Sequence, residues 1–139
     1  CPAEQQWDPD TLVALLDRVC AGHRVDRDRI YLTGLSMGGL GTWATAAAFP
    51  ERFAAIAPIC PPSLWCDLRG LARLPVWCFH GVLDPAVPVE ESREMVRRIE
   101  EAGGTVRLTE YQDAEHDCWT RTYEDQALYT WLLDHRRKP

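Results

Sequence analysis

Apolar and polar positions along this chain alternate between helical and extended spacing several times. From Asp8 to Ala21, Leu12, Leu15, Leu16, Val19 and Cys20 recur at three- and four-residue intervals, with Pro9 where a first turn tolerates it and Gly22 as a stop, which predicts an amphipathic helix. After a charged turn, Arg29 to Thr33 is short, β-branched and aromatic and reads as a buried strand ending at Gly34. Met37 to Phe49 is small and Ala-rich and predicts a tightly packed helix that stops near Pro50. Ala54 to Ile59 reads as a second strand, Cys60 to Pro75 as a Pro-rich loop and Val76 to His80 as a third strand. A loop through Asp84 leads to a helix with Met95, Val96 and Ile99 on one face, ended by Gly103 and Gly104. Thr105 to Tyr111 predicts a fourth strand, a loop carries His116, and Tyr123 to His135 closes the chain as a helix.

Alternating strands and helices need crossover connections, so the expected architecture is α/β, three layers deep, with helices on both faces of a mostly parallel sheet. The length, 139 residues, suits one domain and is short for two. No run approaches the roughly 18 apolar residues of a membrane span. A formal net charge of −6 without a basic cluster argues against nucleic acid as a partner. The chain opens on Cys1, not methionine, so its compartment is not readable from it.

In open parallel sheets, ligand chemistry gathers at the carboxyl ends of the strands. Ser36, Asp84 and His116 each follow a predicted strand there. Gly34-Leu35-Ser36-Met37-Gly38 fits G-x-S-x-G, a sharp strand-to-helix turn that lifts a serine hydroxyl clear of the sheet. Glycines two residues either side let neighbouring backbone approach, and Gly39 and Gly41 extend the small surface. The bare pattern arises by chance about 0.05 times in a chain this long, and a strand before it and a helix after it make chance less plausible still.

A serine hydroxyl needs a histidine to take its proton and a carboxylate to orient that histidine. His116 and Asp84 fall in the required order, Ser, Asp, His. The backbone N–H of Met37, at the positive end of the following helix, is the candidate oxyanion donor. A second donor would come from an HGG-type loop after an earlier strand, and no such segment is visible. His23 and His135 read as solvated surface residues; His80, at a strand end, reads as a structural hydrogen-bonding residue, with orientation of the Asp84 loop as the alternative. Asp113, Glu115 and Asp117 read as solvation of the loop around His116. Trp7, Trp65 and Trp119 fall in predicted loops near the catalytic edge and are candidates for substrate contact, whereas Trp43, Trp77 and Trp131 read as core.

Six cysteines (Cys1, Cys20, Cys60, Cys66, Cys78, Cys118) include no C-x-x-C pair, and no metal-ligand cluster or cofactor is expected. A Cys60–Cys66 bridge would close a short loop; the alternative is buried or loop thiols.

The stretches Asp26 to Trp43, Phe49 to Ile59, Val76 to Pro88 and Asp113 to Tyr123 resemble α/β-hydrolases. Within that fold they are similar to phospholipase/carboxylesterases, dienelactone hydrolases and prolyl-oligopeptidase-type domains, and the resemblance covers almost the whole chain. It implies a serine carboxylesterase acting on small soluble esters through Ser36, His116 and Asp84. The alternatives are a peptidase with the same triad or a non-catalytic binding module. It also implies that the chain is the carboxy-terminal part of a longer domain, lacking amino-terminal strands and the loop of the second oxyanion donor. The strand before Ser36 would then expose an edge open to association or to an upstream segment.

Overall fold

Four short runs of β-branched, aromatic and small residues pair side by side in the computed structural model, which describes residues 7–137. They form β1 (Tyr31–Leu35), β2 (Ala55–Ile59), β3 (Val76–Gly81) and β4 (Val106–Tyr111), all parallel and in the order β1-β2-β3-β4. The connections carry α1 (Pro9–Gly22), α2 (Met37–Ala48), α3 (Val89–Glu101), α4 (Trp119–Glu124) and α5 (Gln126–Leu133).

Because the strand order runs one way, right-handed crossovers place their connections on one face of the sheet. On that face Trp43 and Ala46 of α2 and Met95 and Ile99 of α3 pack with Leu68 and Leu71 onto Ile56, Val76 and Cys78. The opposite face, Ala55, Ala57, Ile59, Trp77 and Phe79, is covered by Leu128 and Leu132 of α5 and by Cys118. Alternate residues of β2 and β3 thus serve two cores, and both strands are buried throughout. The three layers predicted from the sequence are present.

Four local expectations need correction. β1 is the sheet edge, with Thr33 and Leu35 exposed, rather than a buried strand, because among the described residues no strand pairs with its outer side. On α1, the inner stripe is Val13 and Cys20 with Leu16 half-buried, while Leu15 and Val19 face solvent. The last helix is two helices. Asp125 is extended and its side chain accepts from the Ala127 N–H, so it caps α5 and ends α4. His135 is packed rather than solvated: its ring lies 4.6 Å from that of Trp131, and its carbonyl accepts from the Tyr31 hydroxyl.

Candidate active site

The registers bring the four strand ends to one side, β3 and β4 running two residues beyond β1 and β2. Leu35 pairs with Ile59, Ile59 with Phe79, and Gly81 with Tyr111. The segments that follow these strands therefore emerge at one edge, carrying Ser36, Cys60, Asp84 and His116.

Ser36 occupies a strained position, φ 52° and ψ −117°, outside the regions favoured by residues with a Cβ. Its N–H donates to the Ile59 carbonyl and its own carbonyl accepts from the Leu40 N–H, so the sheet holds one side of the turn and α2 the other. The steric demand for glycine is at Gly34, where a Cβ would stand 2.3 Å from the Gly38 carbonyl oxygen. At Gly38 a Cβ would meet only Trp7 Nε1, 4.0 Å away. The glycine requirement predicted on both sides of Ser36 is thus real on one side only. Gly39 lets α2 approach the Ile59 carbonyl and Pro61, and Gly41 packs against Trp7.

His116 Nε2 lies 3.1 Å from Ser36 Oγ, and His116 Nδ1 lies 2.6 Å from Asp84 Oδ2. Residues 80 positions apart in sequence thereby form one line: hydroxyl, imidazole, carboxylate. The two loops are knitted together by the Val82 N–H to the Tyr111 carbonyl and the Leu83 N–H to the Ala114 carbonyl. Gly81 permits this, since a Cβ there would stand 2.2 Å from the Glu115 carbonyl oxygen and 2.5 Å from that of Ala114. The edge of Trp119, the first residue of α4 rather than a loop residue, meets the His116 ring at 5.3 Å.

Asp84 Oδ1 accepts from the Ala86 and Val87 N–H groups. Burial alone would raise the pKa of this carboxyl; the bonds from His116, Val87 and Ala86 outweigh it and hold the group below the usual carboxylate range. Such a line lets the imidazole accept the serine proton while the carboxylate stabilises the imidazolium. The Met37 N–H begins α2, where N–H groups have no acceptor within the helix.

Asp113 pairs with Arg121 and Asp117 caps the Thr120 N–H, which leaves Asp84 as the carboxylate on His116. His23 is exposed. Beside Ser36, a hollow of about 510 Å³ is lined by Trp7, Leu35, Met37 and Tyr123 among others, with the Tyr123 hydroxyl 2.9 Å from Thr33 Oγ1. Tyr123 was not singled out in the sequence, where it opened a predicted helix. Trp65 lies apart from this hollow, 76% exposed with its ring over the Arg98 guanidinium.

Cys60 was likewise unforeseen here. Its thiol comes within 4.8 Å of ligand-type atoms of Asp84 and His116, a cluster of three potential metal ligands that the linear spacing did not suggest. Those atoms are already engaged. Both Asp84 oxygens accept hydrogen bonds, and contact with Cys118 and burial push the Cys60 thiol above its ordinary pKa. Cys60 and Cys66 are both free; Cys60 is buried, with Cys118 as its sulfur neighbour, and Cys66 is exposed. Cys1 lies outside the described residues.

A parallel sheet with crossover helices on one face and a closing pair on the other, and a serine on a strained strand-to-helix turn facing a histidine and an aspartate, define an α/β-hydrolase. The dienelactone hydrolase family profile matches residues 6–128, and the chain belongs to that family. The solved structure of a thermostable esterase superposes with a TM-score of 0.84 at 39% identity, over 91% of this chain and 36% of the other. The bifunctional acetylxylan esterase/xylanase XynS20E of Neocallimastix patriciarum is 22% identical over 128 residues, 92% of this chain and 18% of that enzyme. Arabidopsis thaliana SOBER1 shares the fold, with a TM-score of 0.77 at 19% identity over 91% of this chain and 61% of its own. The chain spans between about a fifth and three-fifths of these relatives' lengths. No helix among the described residues is long and apolar enough to cross a membrane.

Proposed function

We propose that the protein is a serine carboxylesterase that cleaves small soluble esters through Ser36, His116, Asp84 and an acyl-enzyme. The observation that carries this reading is the continuous hydrogen-bonded line from Ser36 Oγ through His116 to Asp84 Oδ2. Ser36 Oγ bonds to the ester carbonyl carbon as its proton passes to His116 Nε2, and the carbonyl electron pair moves onto oxygen. The oxyanion is met by the Met37 N–H at the positive end of α2. Collapse expels the alcohol, which takes the proton from His116 and leaves Ser36 acylated. Water then attacks the acyl carbon, gives its proton to His116, and releases the acid as Ser36 regains its hydrogen. Asp84 keeps Nδ1 of His116 protonated throughout and stays ionised.

The apolar hollow next to Ser36 suits an acyl or alkyl group of modest size, with Trp7 on its wall and Trp119 beside the His116 ring. Trp65 has no place in that contact. We further propose that the chain is the carboxy-terminal part of a longer hydrolase domain, with an upstream strand alongside β1. Two observations support this: the outer side of β1, unpaired among the described residues, and the 36% of the thermostable esterase that this chain spans. That segment would also bring the second oxyanion donor.

Turnover of a short-chain nitrophenyl ester, with losses of at least about a hundredfold in Ser36→Ala and His116→Ala, is the expected result. A fluorophosphonate adduct located on Ser36 by mass spectrometry checks the nucleophile directly. Preferential cleavage of a peptide amide would move the reading to a peptidase. Absence of both adduct and turnover in a protein extended by that upstream segment would refute it in favour of a non-catalytic module.

A further inference from the structure

His80, the last residue but one of β3, is entirely buried yet makes three polar contacts. Its Nε2 lies 2.8 Å from the Val87 carbonyl oxygen and 3.3 Å from Asp84 Oδ2, and its Nδ1 lies 2.6 Å from Ser92 Oγ on α3. We propose that His80 is a positioning residue for the site carboxylate: a neutral imidazole in the Nε2–H tautomer, whose N–H is shared between the Val87 carbonyl and Asp84 Oδ2 and whose Nδ1 is anchored by Ser92.

The proton assignment follows from the partners. A carbonyl and a carboxylate only accept, so the hydrogen on Nε2 is required. In a neutral ring Nδ1 is then the acceptor, and the Ser92 hydroxyl donates to it. Ser92 Oγ in turn lies 3.3 Å from Cys78 Sγ, and with its own hydrogen on the ring it is free to accept from the Cys78 S–H. The titratable groups facing the imidazole are Asp84 on its loop, His116 opposite, Cys78 on β3, Glu91 on α3 and Glu110 on β4. Burial outweighs the Val87 and Asp84 contacts and holds the ring below its ordinary pKa.

The geometry closes the Asp84 turn around this ring. Val87 serves twice, its N–H on Asp84 Oδ1 and its carbonyl on His80. Asp84 therefore has four fixed N–H neighbours: Ala86 and Val87 on one oxygen, His116 and His80 on the other. A carboxylate held this way cannot rotate its Oδ2 away from His116.

The kinetic part of this inference rests on the serine-esterase reading; the tautomer does not. In His80→Leu the N–H is gone, and kcat should fall about tenfold with KM within twofold of the parent. His80→Gln, whose amide N–H reaches the Nε2 position, should recover most of that loss. A merely structural role would give equal losses for both variants, tracking melting temperature. Should His80→Leu not fold, Ser92→Ala, which removes the hydrogen bond anchoring the ring at Nδ1, should still lower kcat severalfold at unchanged KM. Independently of activity, nitrogen-15 NMR of labelled histidine should show His80 neutral and protonated on Nε2 at pH 7. A His80→Leu enzyme that melts normally with unchanged kcat, or an Nδ1–H or doubly protonated His80 at pH 7, overturns the proposal.

Discussion

Replacing Gly81 with alanine tests how the loop that carries His116 is placed. The added Cβ would stand 2.2 Å from the Glu115 carbonyl oxygen and 2.5 Å from that of Ala114, both rigid backbone atoms. To restore ordinary van der Waals contact the segment must retreat by roughly 1 Å, and a displacement of that size in a reacting group costs on the order of a hundredfold in rate. Because His116 follows Glu115 directly, the Ser36 to His116 distance of 3.1 Å should open while Asp84, on the other loop, stays in place. The overpacking should also destabilise the fold by about 1–3 kcal/mol. The assay is kcat/KM for a nitrophenyl ester beside a thermal melt, with Gly22→Ala as control, since a Cβ there meets nothing within 4 Å. Gly81→Ala is expected to lose about a hundredfold in kcat/KM and Gly22→Ala to lose nothing. A folded Gly81→Ala enzyme within threefold of the parent would refute the argument that close approach at this glycine sets the histidine.

Asp84→Asn should lower kcat by about a thousandfold or more, because an amide keeps the shape but its NH₂ group turned to His116 selects the wrong tautomer. Steady-state kinetics at pH 8 measures this. Trp7→Ala should raise KM for an aryl ester about tenfold with little change in kcat, whereas Trp65→Ala, whose ring covers Arg98, should leave KM alone. Stability should also depend on pH through His80, whose folded pKa lies below its ordinary 6.5. The unfolded chain takes up this proton first on acidification, so the contribution is complete above about pH 6.5 and is lost as pH falls toward the folded value. Urea titrations from pH 8 to 5 should show that decline, and His80→Gln should flatten it. Ile99→Ala, in the core under α3, should cost about 2–5 kcal/mol by the same titrations at pH 8.

Ser36, Asp84 and His116 were legible because each signal is local: a glycine-flanked serine between a strand and a helix, and two residues just beyond strand ends in a fixed order. The alternation of strands and helices likewise implied the three layers before any contact was known. Period and punctuation operate over a few residues, and a sequence states them outright. What it does not state is which distant segments meet. The partial burial of Leu16 and the exposure of Leu15 and Val19 on α1 depend on the face that α2 offers, and the exposure of β1 depends on having no outer neighbour among the described residues. Trp7 and Trp65 look alike as loop tryptophans, yet one lines the hollow beside Ser36 and the other covers an arginine. Asp125 is a local exception: its side chain caps the Ala127 N–H two residues on and divides the last predicted helix, a signal that the apolar spacing masked. The nearness of Cys60 to Asp84 and His116, the seat of the Glu115 carbonyl over Gly81, and the enclosure of Asp84 by His80 all arise across sheet register. The sequence by itself determined most of the elements, their order and the three candidate residues, since these follow from local chemistry. Only the tertiary structure decided what supports those residues, because close approach and burial belong to pairs of segments and to neither one alone.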